Sequence, residues 1–147
     1  MEPTRKDELV EQTVRTTRTV ATIGAKAAGT APAFTVPRRM VQRGIRVIPV
    51  NPTIPEASPL ETFGERARKN IAEVGEPVDV VQVFRRSEHL PGIAREILAL
   101  PKALRPRVVW LQPGIYDAGA VGALRSGGIE VIVDRCYAVE LAYDKGS

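Results

Sequence analysis

Short β-branched runs alternate along this chain with longer segments in which apolar residues recur every three or four positions. A β-branched run closed by a turn residue is typical of a buried strand, whereas the longer spacing is typical of an amphipathic helix. The pattern predicts five strands, at 19–24, 46–50, 78–84, 108–111 and 129–133.

The segments between these strands predict helices. Leu9, Val10 and Val14 among charged residues indicate a leading helix that ends near the threonines at 16–19. Further helices are predicted at 34–43, at 64–74, from Ser87 as an N-terminal cap, and from Asp117 to about residue 125. The proline-rich segment 52–63 predicts an irregular loop.

Strands joined by helices imply parallel pairing. We therefore predict an α/β fold of one domain spanning residues 1–147: a Rossmann-like, doubly wound parallel sheet of five strands in the order 3-2-1-4-5. The leading helix would occupy 1–17 and the core about 18–140. Such sheets bind ligands beyond the carboxyl ends of their strands, here expected at the switch between strands one and four.

Composition narrows the classes of function. The 147 residues are 44% hydrophobic with a net charge of +4, which argues for a folded domain rather than a disordered chain. The 21 basic and 17 acidic residues are interleaved, and only 5% of residues are aromatic, so nucleic-acid binding is disfavoured against a small anionic ligand. One cysteine and one histidine exclude an internal disulfide and the usual zinc sites. Without a long apolar stretch or a secretory leader, we expect no membrane association and a cytoplasmic location.

Turn residues and ligand-capable side chains follow each predicted strand. Gly24, Ala25 and Lys26 begin a turn that either presents backbone N–H groups to phosphate or simply ends the strand. Asn51 and Pro52 stand where a carboxylate would repel a phosphorylated ribose, which favours coenzyme A or NADP over NAD. After the third strand come Phe84, Arg85 and Arg86, an aromatic plane with two cations, and after the fourth come Gln112 and Gly114. After the fifth come Asp134, Arg135 and Cys136, which we predict to be a local ion pair with a small buried thiol.

Five sequence blocks, at 19–25, 44–52, 78–85, 109–114 and 133–136, together carry a family resemblance. The chain resembles the small stand-alone bacterial CoA-binding proteins of Rossmann type, related to the CoA-binding domain of the succinyl-CoA synthetase alpha subunit, over about residues 16–140. The resemblance implies a CoA-binding domain in which phosphate lies near Gly24, Ala25 and Lys26, the nucleotide near Asn51, Pro52, Phe84 and Arg85, and the pantetheine arm near Gln112 and Gly114.

One departure concerns the helix after the first strand. Family members often open it with Arg-Pro-Ser, whereas this chain has Ala31, Pro32 and Ala33, and lacks both the cation and the hydroxyl. Lys26, Arg38 and Arg39 are the candidate replacements.

Catalytic residues are not evident in the sequence. We interpret His89 as a solvated helix residue, Cys136 as a packed thiol, and Asp134 as held ionised by its neighbour Arg135. The sequence therefore predicts a non-catalytic module that binds CoA or an acyl-CoA. An NADP-dependent oxidoreductase domain or another nucleotide-binding enzyme is the alternative. The acyl group, a partner protein and self-association are left open.

Overall fold

Five parallel strands form one sheet with helices on both faces in the computed structural model, which describes residues 5–144. The strands are β1 Thr19–Ile23, β2 Arg46–Val50, β3 Val80–Val83, β4 Val108–Leu111 and β5 Glu130–Ile132. The helices are α1 Arg5–Thr16, α2 Pro32–Gln42, α3 Leu90–Leu98, α4 Ala118–Ser126 and α5 Tyr137–Tyr143, with 3-10 helices at Ile71–Val74, Ser87–His89 and Lys102–Leu104. The predicted Rossmann-like α/β class with five parallel strands is confirmed.

The predicted strand order is wrong. The sheet runs β2-β1-β3-β4-β5, so that β3 pairs with β1 rather than with β2. The outer side of β2 is occupied instead by the segment through Arg68: Arg68 N donates to Pro49 O at 2.9 Å, and Asn51 N donates to Arg68 O at 2.8 Å. This single parallel bridge takes the place that the prediction assigned to the third strand. The topological switch therefore lies between β1 and β3.

Successive side chains of a strand point to opposite sides of the sheet, and helices cover both sides. Both sets of strand side chains are therefore buried. On one face, Ile23, Val83 and Leu111 belong to the core cluster that includes residues of α3 and α4. On the other face, Val80 and Trp110 pack with residues of α1, α2 and α5. Every helix within residues 5–144 is too short or too polar to cross a bilayer.

Two helix predictions need correction, and one helix was not predicted. In 64–74, only Ile71–Val74 is helical, where the Asn70 side chain accepts from Glu73 N. Ser87 does not cap its helix, because its Oγ accepts from Tyr116 N at 2.9 Å and so joins the loop after β4 to the segment after β3. The short helix α5 has no counterpart in the prediction.

Other helix predictions hold. Asp117 caps α4 by accepting from Ala120 N at 2.8 Å, as predicted. The leading helix is present as α1 from Arg5, and the predicted part at 1–4 lies outside the described residues.

Candidate functional site

The turn after β1 packs directly against the end of β3. Gly24 has φ +87° and donates from its N–H to Val50 O at 2.8 Å. A Cβ on Gly24 would lie 3.0 Å from the carbonyl oxygen of Phe84 and 3.2 Å from Cδ of Arg85. Glycine is therefore required here by backbone conformation and by the neighbouring strand end. Of the two interpretations of Gly24, this contact supports its role in ending the strand.

Asn51 joins the turn after β2 to the turn after β1. Its Nδ2 donates to Ala25 O at 2.9 Å, and its Oδ1 accepts from the N–H and the hydroxyl of Thr53 at 2.9 and 2.7 Å. Ala25 is fully buried, whereas the Lys26 side chain is exposed and its N–H donates to Ala33 O. The amide thus holds two predicted site turns together.

A cleft of about 480 Å³ lies beside these strand ends, and we call it the basic cleft. Apolar residues from β1, β2, the 3-10 helix and α3 line part of it: Ile23, Val50, Ile71 and Ile93. Four basic side chains line it as well: Lys69, Arg85, His89 and Arg95. Pro52, Asn70, Gly92 and one carboxylate, Glu96, complete the lining. An apolar surface beside cations suits a flat heterocycle that carries phosphate.

Arg85 and His89 contact one another on one side of the basic cleft. Arg85 Nη2 lies 3.2 Å from His89 Nε2. A guanidinium can only donate, so Nε2 of His89 is the accepting atom in this contact. Arg85 is placed as predicted at the end of β3. His89 is 41% exposed and also lines the cleft, a position that the interpretation as a solvated residue missed.

Of the other predicted site residues, Pro52 lines the basic cleft, whereas Phe84, Gln112 and Gly114 lie outside its lining. Phe84 is partly buried and packs against the core cluster on the opposite face of the sheet. Gly114 has φ +86° in the exposed turn after β4. Gln112 is only 5% exposed, and its Oε1 accepts from Gln82 Nε2 and from Tyr137 N, each at 3.2 Å.

Strand register relates these positions to the turn after β1. Ile23 is level with Val83, and Val83 with Leu111. Gly24, at the end of β1, and Gln112, at the end of β4, therefore lie at the same height above the sheet. Sequence reasoning missed Lys69, Asn70 and Arg95, which meet only because the loop at 64–70 folds back beside β2.

The opening of α2 lacks a side-chain cap. Ala31 is its N-cap residue without a side-chain hydrogen bond, a proline stands in the first positions, and no acidic residue lies in the first turn. Of the candidate replacement cations, Arg38 places its guanidinium 5.3 Å from the ring centroid of Phe34. The side chain of Arg39 is exposed.

The predicted ion pair between Asp134 and Arg135 is wrong. Asp134 has φ +58°, while Arg135 pairs with Asp7 of α1 and with Glu140 of α5. The hydrogen bond with Asp7 raises the pKa of Arg135 above its ordinary value. Neighbours in sequence point apart here because the chain turns sharply between β5 and α5.

Cys136 is half-buried and packs against the core cluster of α1, α2 and α5. His89 lines the basic cleft, next to α3 on the opposite face of the sheet. The side chains described between residues 5 and 144 include no group of three or more metal-ligating residues.

Comparison with known proteins decides the family. Residues 18–142 match the family model described as a CoA binding domain. The chain belongs to this CoA-binding family. The resemblance inferred from the sequence blocks is thereby confirmed.

Relatives of similar length support the assignment. The uncharacterized protein YneT of Bacillus subtilis (strain 168) is 36% identical over 136 residues, which are 92% of this chain and 94% of that protein. A solved structure described as cell-free ID.343 from Thermus thermophilus is 39% identical with a TM-score of 0.80, covering 93% of this chain and 96% of that one. A hypothetical protein from Pyrococcus horikoshii OT3, at 22% identity, shares the fold with a TM-score of 0.83 over 99% of this chain and 100% of that one.

Proposed function

We propose that this protein binds coenzyme A or an acyl-CoA across the carboxyl ends of β1, β3 and β4, as a module without chemistry of its own. The basic cleft carries the proposal. Its apolar residues offer a surface for the adenine ring, and its cations offer partners for the ribose 3′-phosphate. Each charge-assisted hydrogen bond to such a phosphate is worth roughly 1.5–3 kcal/mol.

The opening of α2 supports a position for the pyrophosphate. Its N-cap residue Ala31 offers no side-chain acceptor, and no carboxylate in its first turn competes for the N–H groups there. Pro32 has no N–H, and those of Phe34 and Thr35 donate to Ala31 O, so the N–H of Ala33 and the helix dipole are what favour an anion at this end. Lys26 extends from the neighbouring turn into solvent and adds a cation. These features replace the arginine and serine that the chain lacks.

The proposal of a non-catalytic role rests on the separation of the reactive side chains. His89 and Cys136 lie on opposite faces of the sheet, so the imidazole is not placed to activate the thiol. A nucleophile and its base need to be within hydrogen-bond reach of each other. Ligand binding by the strand ends therefore accounts for the arrangement without a reaction.

Calorimetry with matched arginine variants tests the proposal. Arg85→Ala removes a cation from the basic cleft, whereas Arg86→Ala removes a neighbouring cation that is 87% exposed and does not line it. We expect Arg85→Ala to weaken CoA binding about tenfold, the equivalent of about 1.4 kcal/mol. Arg86→Ala should leave it unchanged.

Ligand analogues locate the contact. CoA without its 3′-phosphate should bind the wild-type protein more weakly than CoA does. It should also bind wild type and Arg85→Ala with nearly equal affinity. NADP and NAD serve as competitors for the oxidoreductase alternative. No binding of CoA, or an equal loss in the two arginine variants, would contradict the proposed site.

A further inference from the structure

A ladder of polar side chains crosses the buried sheet and ends at Gln112. Thr22 of β1 and Gln82 of β3 are both fully buried, and Thr22 Oγ1 donates to Gln82 Oε1 at 2.9 Å. Gln82 Nε2 then donates to Gln112 Oε1 at 3.2 Å. Burying amides and hydroxyls is costly unless they are hydrogen-bonded, and here each member supports the next. We call Thr22, Gln82 and Gln112 the polar ladder.

The backbone of α5 sets the direction of the polar ladder. The N–H of Tyr137 lies 3.2 Å from the Gln112 side chain and can only donate, so the atom that faces it must be the oxygen Oε1. That oxygen also faces the Gln82 amide, which must therefore present its NH₂ group. Gln82 Oε1 is left for the hydroxyl of Thr22. Reversing the Gln112 amide would bring two donors together, and reversing the Gln82 amide would bring two acceptors together.

In this orientation the oxygen of Gln112 is already hydrogen-bonded, and only its NH₂ group remains to donate. Its oxygen is occupied by two N–H groups, and its Nε2 has no acceptor among the residues described from 5 to 144. In that range, the fully buried side-chain polar atoms without a partner are Thr13 Oγ1 and Tyr137 OH, so Nε2 of Gln112 is not fully buried. The NH₂ group of Gln112 therefore retains contact with solvent at the carboxyl end of β4.

We infer that Gln112 is a fixed hydrogen-bond donor that selects a carbonyl oxygen on the ligand, and that Thr22 and Gln82 are the residues that position it. The inference rests on the proposed binding of CoA. Gln112 and Gly24 lie at the same height and two strand spacings apart, about 10 Å. The basic cleft proposed for the nucleotide lies beside β1 and β2, and the pyrophosphate is proposed at the opening of α2, so the part of the ligand that continues toward β4 is the pantetheine arm. The acceptor is therefore an amide carbonyl of the pantetheine arm or the thioester carbonyl of an acyl group.

The variant Gln112→Glu tests the donor specifically. A carboxylate at this position still accepts from Tyr137 N and Gln82 Nε2, but it cannot donate. We expect it to weaken CoA binding about tenfold, because a neutral hydrogen bond is lost and the ligand carbonyl then faces a carboxylate. Adenosine 3′,5′-bisphosphate, which lacks the pantetheine arm but keeps phosphates at both positions, should bind within about twofold of wild type.

Two acyl states of the ligand distinguish the carbonyl groups. If Gln112 meets the thioester, acetyl-CoA should bind the wild-type protein more tightly than CoA, and Gln112→Glu should remove the difference. If Gln112 meets an amide of the arm, both ligands should weaken equally in the variant. Either result supports a carbonyl-selecting donor.

The positioning role of Thr22 has its own pair of variants. Thr22→Val removes the hydroxyl at the start of the polar ladder and should weaken CoA binding by about threefold without affecting the bisphosphate. Thr22→Ser restores the hydroxyl and should restore the affinity. This pair also decides the matter if Gln112→Glu fails to fold, as monitored by its thermal transition.

The outcomes separate this inference from the proposed function. Wild-type protein that binds neither CoA nor the bisphosphate contradicts both. Wild-type binding of CoA with an unchanged affinity in Gln112→Glu, or with the bisphosphate weakened as much as CoA, overturns the inference alone. Failure of Thr22→Ser to recover the affinity lost in Thr22→Val would remove the positioning role.

Discussion

A methyl group added at Gly24 should destabilise the fold through a backbone contact. The residue ends β1 with φ +87°, and its Cβ would approach the Phe84 carbonyl oxygen to 3.0 Å. That oxygen is part of the backbone at the end of β3, so it cannot rotate away as a side-chain atom would. Gly24→Ala therefore combines a left-handed backbone conformation with a collision between two strand ends.

Gly44 provides a matched control for the magnitude. It has φ +89°, but a Cβ there meets nothing within 4 Å. Gly44→Ala should cost about 1–2 kcal/mol, the strain of a side chain in the left-handed region. Gly24→Ala should cost this strain plus about 1–3 kcal/mol for overpacking against Phe84. The difference between the two variants thus isolates the contact.

Urea unfolding followed by circular dichroism measures both free energies. We expect both midpoints to fall, that of Gly24→Ala further, with an unchanged dependence on denaturant. Equal losses in the two variants would refute the contact argument. If Gly24→Ala instead kept full stability and lost only CoA affinity, the turn would exist for the ligand and not for the strand end.

Two further predictions concern polar groups near the strand ends. Asn51→Ala removes the amide that bonds Ala25 O and Thr53. We expect the free energy of unfolding, measured by urea titration, to fall by about 1–2 kcal/mol and the CoA affinity to fall with it. Unchanged values of both would contradict the linking role of Asn51. Burial raises the pKa of Tyr137 to about 12, so the unfolded chain, with the ordinary value near 10, loses this proton first as pH rises. Stability should be complete below about pH 10 and should fall between about pH 10 and 12, whereas Tyr137→Phe should show less of this loss in melting temperatures.

Local patterns predicted the elements whose stability depends on nearby residues. The bounds of β2 and β4 match the prediction, because both strands are buried runs on a sheet covered on both faces. The cap at Asp117 was predicted for the same reason: a side-chain acceptor and the N–H three residues later are neighbours along the chain.

Elements that depend on distant partners were missed. The backbone at Arg68 pairs with β2 through two hydrogen bonds although its segment has no strand-like pattern. Arg135 bonds Asp7, 128 residues away, instead of the adjacent Asp134. The cations of the basic cleft likewise come together through the fold-back at 64–70 and through α3. No local spacing relates Lys69 to Arg95.

The error in strand order also explains why the sequence did not show how the site is connected. In the predicted order, β2 would separate β1 from β3, and Thr22 could not reach Gln82. The polar ladder and the contact between Gly24 and the end of β3 exist only because β1 and β3 are neighbours. A glutamine inside the run at 80–83 is a local anomaly that sequence reasoning can detect, but its partners follow from topology alone. The position of β3 between β1 and β4 brings Arg85 next to the first turn and Gln82 next to Gln112, so the place of one strand contributes to both ends of the proposed ligand site.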